Sequence, residues 1–150
     1  MKIKKKIYLD YAATTPVDER VIKKVSPFFS EKFANPSSSH FMGQEVRQAL
    51  MKARQKVASF LNCKPCEIVF TSGGTESENL AIKGGAFAAK KFGDHVIISS
   101  IEHLAISSSA DFLMRHGFSI DRIGADNKCN IKLDDLEKTI TDKTILVSIM

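Results

Sequence analysis

The spacing of apolar residues before position 65 predicts two helical segments separated by a loop. The first apolar stripe begins after Pro16, which suits the first turn of a helix, and Pro27 should interrupt it. Residues 35–39 have the composition of a loop, and a longer amphipathic helix follows them. The two stripes consist of Val17, Val21, Ile22, Val25, Phe28 and Phe29, and of Val46, Leu50, Ala53, Val57, Phe60 and Leu61.

From residue 67 onward, short apolar runs alternate with helical periods. The pattern predicts strands over 67–71, 95–99, 118–123 and 144–149, and helices over 75–91, 104–116 and 133–140. Gly93 should end the first of these helices and Gly117 the second. This order predicts an α/β fold, with a mostly parallel sheet and helices on both of its faces. The run 145–147 reads as a strand buried on both faces.

Composition and charge exclude several classes of function. The chain has 150 residues, of which 43% are apolar and 26% charged, as in an ordinary soluble domain. Its net charge of +5 owes much to Lys2, Lys4, Lys5 and Lys6, and no basic stripe with interleaved aromatics indicates nucleic acid as a partner. No apolar stretch reaches membrane-spanning length, and no signal-peptide core follows the lysines, so we expect a cytoplasmic protein.

The three cysteines predict neither a disulfide framework nor a metal site. Cys63, Cys66 and Cys129 are an odd and sparse set. The spacing of Cys63 and Cys66 is that of a redox motif or half a zinc site, but no second pair completes it. Pro65 between them favours a plain loop.

The run Gly73-Gly74-Thr75 carries the first candidate chemistry. A turn that leads from a strand into a helix directs backbone N–H groups and a positive helix end at one point, which suits a phosphate. Thr75 and Glu78 also match a capping box, with Thr75 at N-cap and Glu78 at N3. The carboxylates of Glu76 and Glu78 favour a plain cap because they would compete with a phosphate. The two glycines favour a ligand because a cap needs none. Both interpretations stay open.

His103 is the second candidate. It follows the strand 95–99 at a strand-to-helix turn, on the sheet edge where the turn at Gly74 is expected. A lone histidine is most often a capping or surface group, but this position favours a functional role. His95 and His116 are interpreted as surface residues, and His40 is left open.

Four segments, in this order, resemble the cysteine desulfurases of the class V aminotransferase fold. The segments are Tyr8-Leu9-Asp10-Tyr11-Ala12-Ala13-Thr14-Thr15-Pro16, Asn35-Pro36-Ser37-Ser38 with His40 and Gly43, Ile68-Val69-Phe70-Thr71-Ser72-Gly73-Gly74-Thr75-Glu76-Ser77, and Glu102-His103. The resemblance implies fold type I and pyridoxal 5'-phosphate as cofactor. It implies conversion of L-cysteine to L-alanine, with sulfur carried as a persulfide on an enzyme cysteine and passed to a sulfur-acceptor protein, for example in iron–sulfur cluster assembly. It also implies a homodimer.

The resemblance assigns roles to three residues. The amide of Gly74 and the side chain of Thr75 would hold the cofactor phosphate, and His103 would stack on the cofactor ring and shuttle protons. Residues 1–15 would form an extended segment near the active-site mouth. Residues 16–150 would form the N-terminal part of the large cofactor-binding domain.

The last residues of the chain are those of an apolar strand. Ligands of open α/β sheets lie beyond the carboxyl ends of the strands, so another active-site loop is expected to follow this strand. We therefore expect the N-terminal part of a longer protein. In the family, the lysine that binds the cofactor and the persulfide cysteine lie downstream, so this chain alone should be inactive. The alternatives are a non-catalytic phosphate-binding, cofactor-binding or interaction remnant, and a selenocysteine lyase of the same fold.

Overall fold

The computed structural model describes residues 7–150, which divide into two compact units between Val69 and Phe70. The lysines at positions 2–6 lie outside the described residues. The predicted boundary after residue 15 stays a prediction.

The first unit contains three helices and a single 3₁₀ turn within its described residues. They are α1 (Glu19–Val25), α2 (Pro27–Ser30), α3 (Phe41–Phe60) and the 3₁₀ turn Pro65–Glu67. The expected start of α1 at Pro16 is wrong, because Asp18 accepts a hydrogen bond from the Arg20 amide at 2.8 Å and caps the helix there. The predicted interruption at Pro27 is confirmed.

The long amphipathic helix is confirmed as α3, but its apolar stripe is largely open in the first unit. Leu50 is 40% exposed and Phe60 88% exposed. A groove of about 720 Å³ runs along the stripe and is also lined by Phe28 and Pro36. The buried residues of α3 are Gly43 and Ala58.

The predicted buried strand over 67–71 is wrong. Residues 68–71 belong to no strand, and Val69 is 65% exposed. A strand requires a ladder of hydrogen bonds to a neighbour. The carbonyl of Ile68 instead accepts a hydrogen bond from the guanidinium of Arg54 on α3.

The second unit contains the alternating helices and strands. They are α4 (Gly74–Asn79), a π-helical turn (Leu80–Gly84), α5 (Gly85–Ala89), β1 (His95–Ser99), α6 (Leu104–Arg115), β2 (Ser119–Ile123), α7 (Leu133–Thr139) and β3 (Thr144–Ser148). The predicted helix 75–91 is therefore one helical run with a π-helical turn in its middle. Gly117, with φ of +80°, follows α6 as predicted.

The three strands form a parallel sheet in the order β2-β1-β3, which confirms the α/β prediction. Val96 of β1 lies opposite Ile120 of β2 and Leu146 of β3. Because all three strands run in one direction, their carboxyl ends share one edge. The turn that carries His103 begins at this edge.

The core of this unit lies on one face of β1, where alternate residues Val96 and Ile98 meet helix side chains. The helix residues and the adjoining loop residue in this cluster are Ile82, Ala86, Ile106, Ala110, Leu113 and Phe118. The expectation that 145–147 is buried on both faces is wrong, since Val147 is 43% exposed. Within the described sheet β3 is an edge strand and pairs only with β1.

His95 is not a surface residue, contrary to the sequence interpretation. Its side chain is 7% exposed, with Nδ1 2.8 Å from Thr144 Oγ1 and Nε2 3.1 Å from Asp121 Oδ2. The central position of β1 explains this, because polar side chains of β2 and β3 enclose it from both sides. His116 is exposed, as predicted.

None of the helices within residues 7–150 is both long and apolar enough to span a membrane.

Candidate cofactor site

A cleft of about 310 Å³ opens between the beginning of α4 and the beginning of α6. Its lining residues are Thr75, Asn79, His103, Leu104, Ala105 and Ser108. Two of the three residues singled out from sequence, Thr75 and His103, therefore line the same cleft. The third, Gly74, is the first residue of α4 and the chain neighbour of Thr75.

The beginning of α4 differs from the predicted capping box. Gly73 is the N-cap, with extended backbone angles (φ 166°, ψ −178°), and no side chain caps the helix in its place. Thr75 is the second helical residue, so the prediction of Thr75 at N-cap and Glu78 at N3 is wrong. The N3 residue is Glu76, whose Oε2 accepts hydrogen bonds from the Ser72 amide at 2.7 Å and the Ser72 hydroxyl at 2.6 Å.

The bonds from Ser72 direct Glu76 back toward the turn that precedes α4. The Ser72 hydroxyl first, and the Ser72 amide second, lower the pKa of the Glu76 carboxyl below its ordinary value. The sequence analysis treated Glu76 as a competitor for the positive helix end. The structure shows its Oε2 bonded to Ser72 instead, and this weakens the argument against a phosphate.

We expect the bonds between Glu76 and Ser72 to be lost in acid. A carboxyl whose pKa is lowered by folding contributes stability above its unfolded pKa, about 4.5, and loses it as the pH falls through the folded value. The difference in melting temperature between wild type and Glu76→Gln should therefore be present at pH 6 and shrink toward pH 3. A difference that is constant over this range would contradict the prediction.

The turn leaves open space where a phosphate would lie. A Cβ built on Gly73 meets no atom within 4 Å, and one on Gly74 meets only Glu78 Oε1 at 4.0 Å. The first amides of a helix have no intrahelical acceptor. Thr71 Oγ1 lies 2.5 Å from Ser77 Oγ and braces the turn against α4. The donors and the open space of this site thus fit a phosphate.

His103 is the N-cap of α6, at the turn predicted from sequence. Its Nδ1 accepts a hydrogen bond from the Ala105 amide at 3.3 Å, and its side chain is 63% exposed. The His103 side chain therefore caps α6 in this structure. A neutral ring that accepts at Nδ1 carries its proton on Nε2, so the exposed end of the ring is a donor in this state.

Asn79 is a site residue that the sequence analysis missed. Its Nδ2 donates to the Thr75 carbonyl at 2.7 Å, and its Oδ1 accepts from the Ser109 hydroxyl at 3.2 Å. Asn79 therefore ties α4 to α6 at the base of the cleft. An asparagine inside a helical pattern was the available signal, because this residue type is poor in helix interiors.

Glu102 directly precedes His103, and the sequence predicted no role for it. Its Oε1 accepts hydrogen bonds from Ser99 at the end of β1 (3.0 Å) and Ser148 at the end of β3 (3.3 Å). This carboxylate joins two strand ends directly before His103. The pairing of β1 with β3 could not be predicted, so the bridge could not be either.

Within residues 7–150 no group of three or more His, Cys, Asp or Glu side chains is arranged to hold a metal ion. All three cysteines are free, with Cys63 half-buried and Cys66 and Cys129 exposed.

The model of the aminotransferase class-V family matches residues 7–150. The chain belongs to this family. It is 48% identical over 148 residues to cysteine desulfurase IscS of Dictyoglomus turgidum, covering 99% of this chain and 38% of that relative. The class-V family is built on fold type I and uses pyridoxal 5'-phosphate, in agreement with the fold and cofactor predicted from sequence.

Solved structures of class-V relatives superimpose closely on the chain. A NifS-like protein matches with a TM-score of 0.91 and 41% identity, covering 96% of this chain and 40% of that one. SspA, solved in complex with cysteine, matches with a TM-score of 0.87 and 39% identity, covering 95% and 41%. The chain thus spans about two fifths of the length of these relatives.

Proposed function

We propose that the full-length protein is a pyridoxal-phosphate-dependent cysteine desulfurase, which converts L-cysteine to L-alanine and passes the sulfur on as a persulfide. The observation that carries the proposal is the shared cleft of Thr75 and His103 at the beginnings of two helices. The relative at 48% identity is named for this activity. Within such an enzyme, this chain would supply one side of the cofactor pocket.

In this proposal, the beginning of α4 holds the cofactor phosphate. The amide of Gly74 and the hydroxyl of Thr75 would donate to phosphate oxygens, and the positive end of the helical run would add to the attraction. The open space at Gly73 and the bonding of Glu76 to Ser72 support this assignment. Asn79 keeps the phosphate end and the His103 end of the cleft at a constant separation by linking α4 to α6.

His103 would stack on the cofactor ring and exchange protons at Nε2. The bound cofactor supplies the electron sink for the bonds broken at the amino acid. The protein contributes an imidazole that is anchored at Nδ1, which leaves Nε2 for the exchange of the proton. This division of roles suits general acid–base catalysis.

We further propose a homodimer that works in the cytoplasm with a sulfur-acceptor protein, and residues 1–15 near the active-site mouth. The names of the relatives support the transfer of sulfur. Size measurement in solution tests the homodimer, and cross-linking to candidate acceptors tests the sulfur-acceptor protein.

The activity is tested with full-length protein, L-cysteine and a thiol reductant. We expect equal amounts of alanine and sulfide, and a visible absorbance from bound cofactor. Turnover of L-selenocysteine alone would make the protein a selenocysteine lyase. Cofactor binding without turnover of either substrate would make it a non-catalytic binding protein.

Replacing Thr75 with alanine should weaken cofactor binding by roughly ten- to a hundredfold. The hydroxyl forms no hydrogen bond within residues 7–150, so its loss removes only the charge-assisted bond to phosphate, worth about 1.5–3 kcal/mol. The measurement is titration of the apo full-length variant with pyridoxal phosphate.

Thr139→Ala is the matched control, because the Thr139 hydroxyl donates within α7 to the Asp135 carbonyl at 2.7 Å. It should leave cofactor affinity unchanged. A lower melting temperature of apo Thr75→Ala with wild-type affinity would remove Thr75 from the phosphate site.

A further inference from the structure

Glu78 on α4 faces His103 at the beginning of α6. Its Oε2 lies 3.4 Å from His103 Nδ1. This oxygen is buried and accepts no hydrogen bond from the residues that the structure describes. A buried carboxylate oxygen without a donor is costly, and the neighbouring group that can supply a proton to it is the imidazole.

Nδ1 of His103 therefore stands between two groups with opposite requirements. The Ala105 amide, 3.3 Å away, needs a lone pair on Nδ1. Glu78 Oε2 needs a proton on Nδ1. The ring can satisfy only one of them at a time.

With a proton on Nδ1, a bond to Glu78 would be the stronger of the two. A hydrogen bond to an ionised carboxylate is roughly twice as strong as one between neutral groups. The Ala105 amide lies at a helix start beside the exposed His103 ring, where water can replace the imidazole.

We propose that Glu78 is a positioning residue that holds a proton on Nδ1 of His103. The ring then gives up the Ala105 amide, and its neutral form has an unprotonated Nε2. Without Glu78, Nδ1 caps α6 and Nε2 keeps the proton, so the exposed nitrogen can only donate. With Glu78, Nε2 can accept a proton as well as return it.

The catalytic consequence rests on the proposed function, whereas the tautomer does not. The first measurement is therefore the imidazole ¹⁵N spectrum of full-length protein labelled at histidine, with His103 assigned from His103→Asn. We expect the Nδ1-protonated tautomer in wild type and the Nε2-protonated tautomer in Glu78→Leu. Glu78→Gln retains a neutral acceptor and should lie between them.

The second measurement is turnover of L-cysteine. Glu78→Leu should lower kcat by about tenfold or more with little change in KM, because the ring remains but its base form is disfavoured. Glu137→Leu is the control, since Glu137 is an exposed carboxylate on α7. It should change neither the spectrum nor kcat.

The same Nε2-protonated tautomer in wild type and Glu78→Leu would overturn the proposal, whatever the activity. A changed tautomer in a protein without desulfurase activity would support the proposed role of Glu78 and contradict the proposed desulfurase function. A changed tautomer with unchanged kcat in an active enzyme would limit Glu78 to setting the tautomer and remove its effect on the reaction.

Discussion

Replacing Gly93 with alanine should lower the free energy of unfolding by about 2–3 kcal/mol. A Cβ at Gly93 would overlap the backbone of Lys143, with the Lys143 carbonyl carbon at 2.8 Å and its Cα at 2.9 Å. Backbone atoms cannot move aside as a flexible side chain can. The Lys143 carbonyl also accepts the His95 amide at 3.0 Å, so displacement would disturb the beginning of β1.

Gly84→Ala is the control for this prediction. A Cβ at Gly84 would meet Leu80 Cδ1 at 3.5 Å, an ordinary contact, and its helical backbone favours alanine over glycine by up to about 1 kcal/mol. Chemical denaturation should show Gly84→Ala at least as stable as wild type and Gly93→Ala clearly below it. Equal midpoints for Gly93→Ala and wild type would show that the loop at Lys143 moves aside at no cost.

Gly93 also shows the limit of predictions that rest on neighbouring residues in the sequence. Sequence alone placed Gly93 at the end of a helix, and the structure has α5 ending at Ala89 with β1 beginning at His95. The helix ends before Gly93, with Lys90 as its C-cap, so the prediction that Gly93 ends it is wrong in position. The contact with Lys143 joins residues fifty positions apart, so only the pairing of β1 with β3 reveals it.

The elements that could be predicted are those whose pattern is local. Short apolar segments predicted β1, β2 and β3, and Gly117 predicted the end of α6. The run 67–71 has the same composition but forms no strand, because strand formation depends on a neighbour and not on the run itself. His95 was missed for the same reason, since Thr144 and Asp121 reach it from other strands.

The sequence predicted which residues belong to the site but not how their side chains contact one another. His103 follows β1 as the predicted topology requires, whereas no strand precedes Thr75. The two residues line one cleft because α4 lies against α6, to which Asn79 ties it. Which glutamate is the N3 residue depends on which residue is the N-cap, and the N-cap is Gly73, two residues before the predicted Thr75. Glu78 is therefore not the N3 residue, and its side chain faces His103.

Replacing His103 with alanine should lower turnover of L-cysteine by roughly 10²-fold or more. The ring lies in the cleft with Thr75, and general acid–base transfer of this size is what an imidazole contributes. The effect on folding should be small, because the side chain is 63% exposed and its loss removes one contact of Nδ1, with the Ala105 amide or with Glu78, worth about 1 kcal/mol. The measurements are kcat with saturating cofactor and the melting temperature of the same sample.

His103→Asn separates capping from proton transfer. Asparagine is among the best N-cap residues and caps α6 without an imidazole, so this variant should melt no lower than wild type while turnover stays as low as in His103→Ala. His116→Ala, at the other end of α6, is the activity control because His116 is exposed and lies outside the cleft. If His103→Asn recovered both stability and turnover, His103 would act through the cap alone, and the beginning of α6, not the imidazole, would be what the reaction needs.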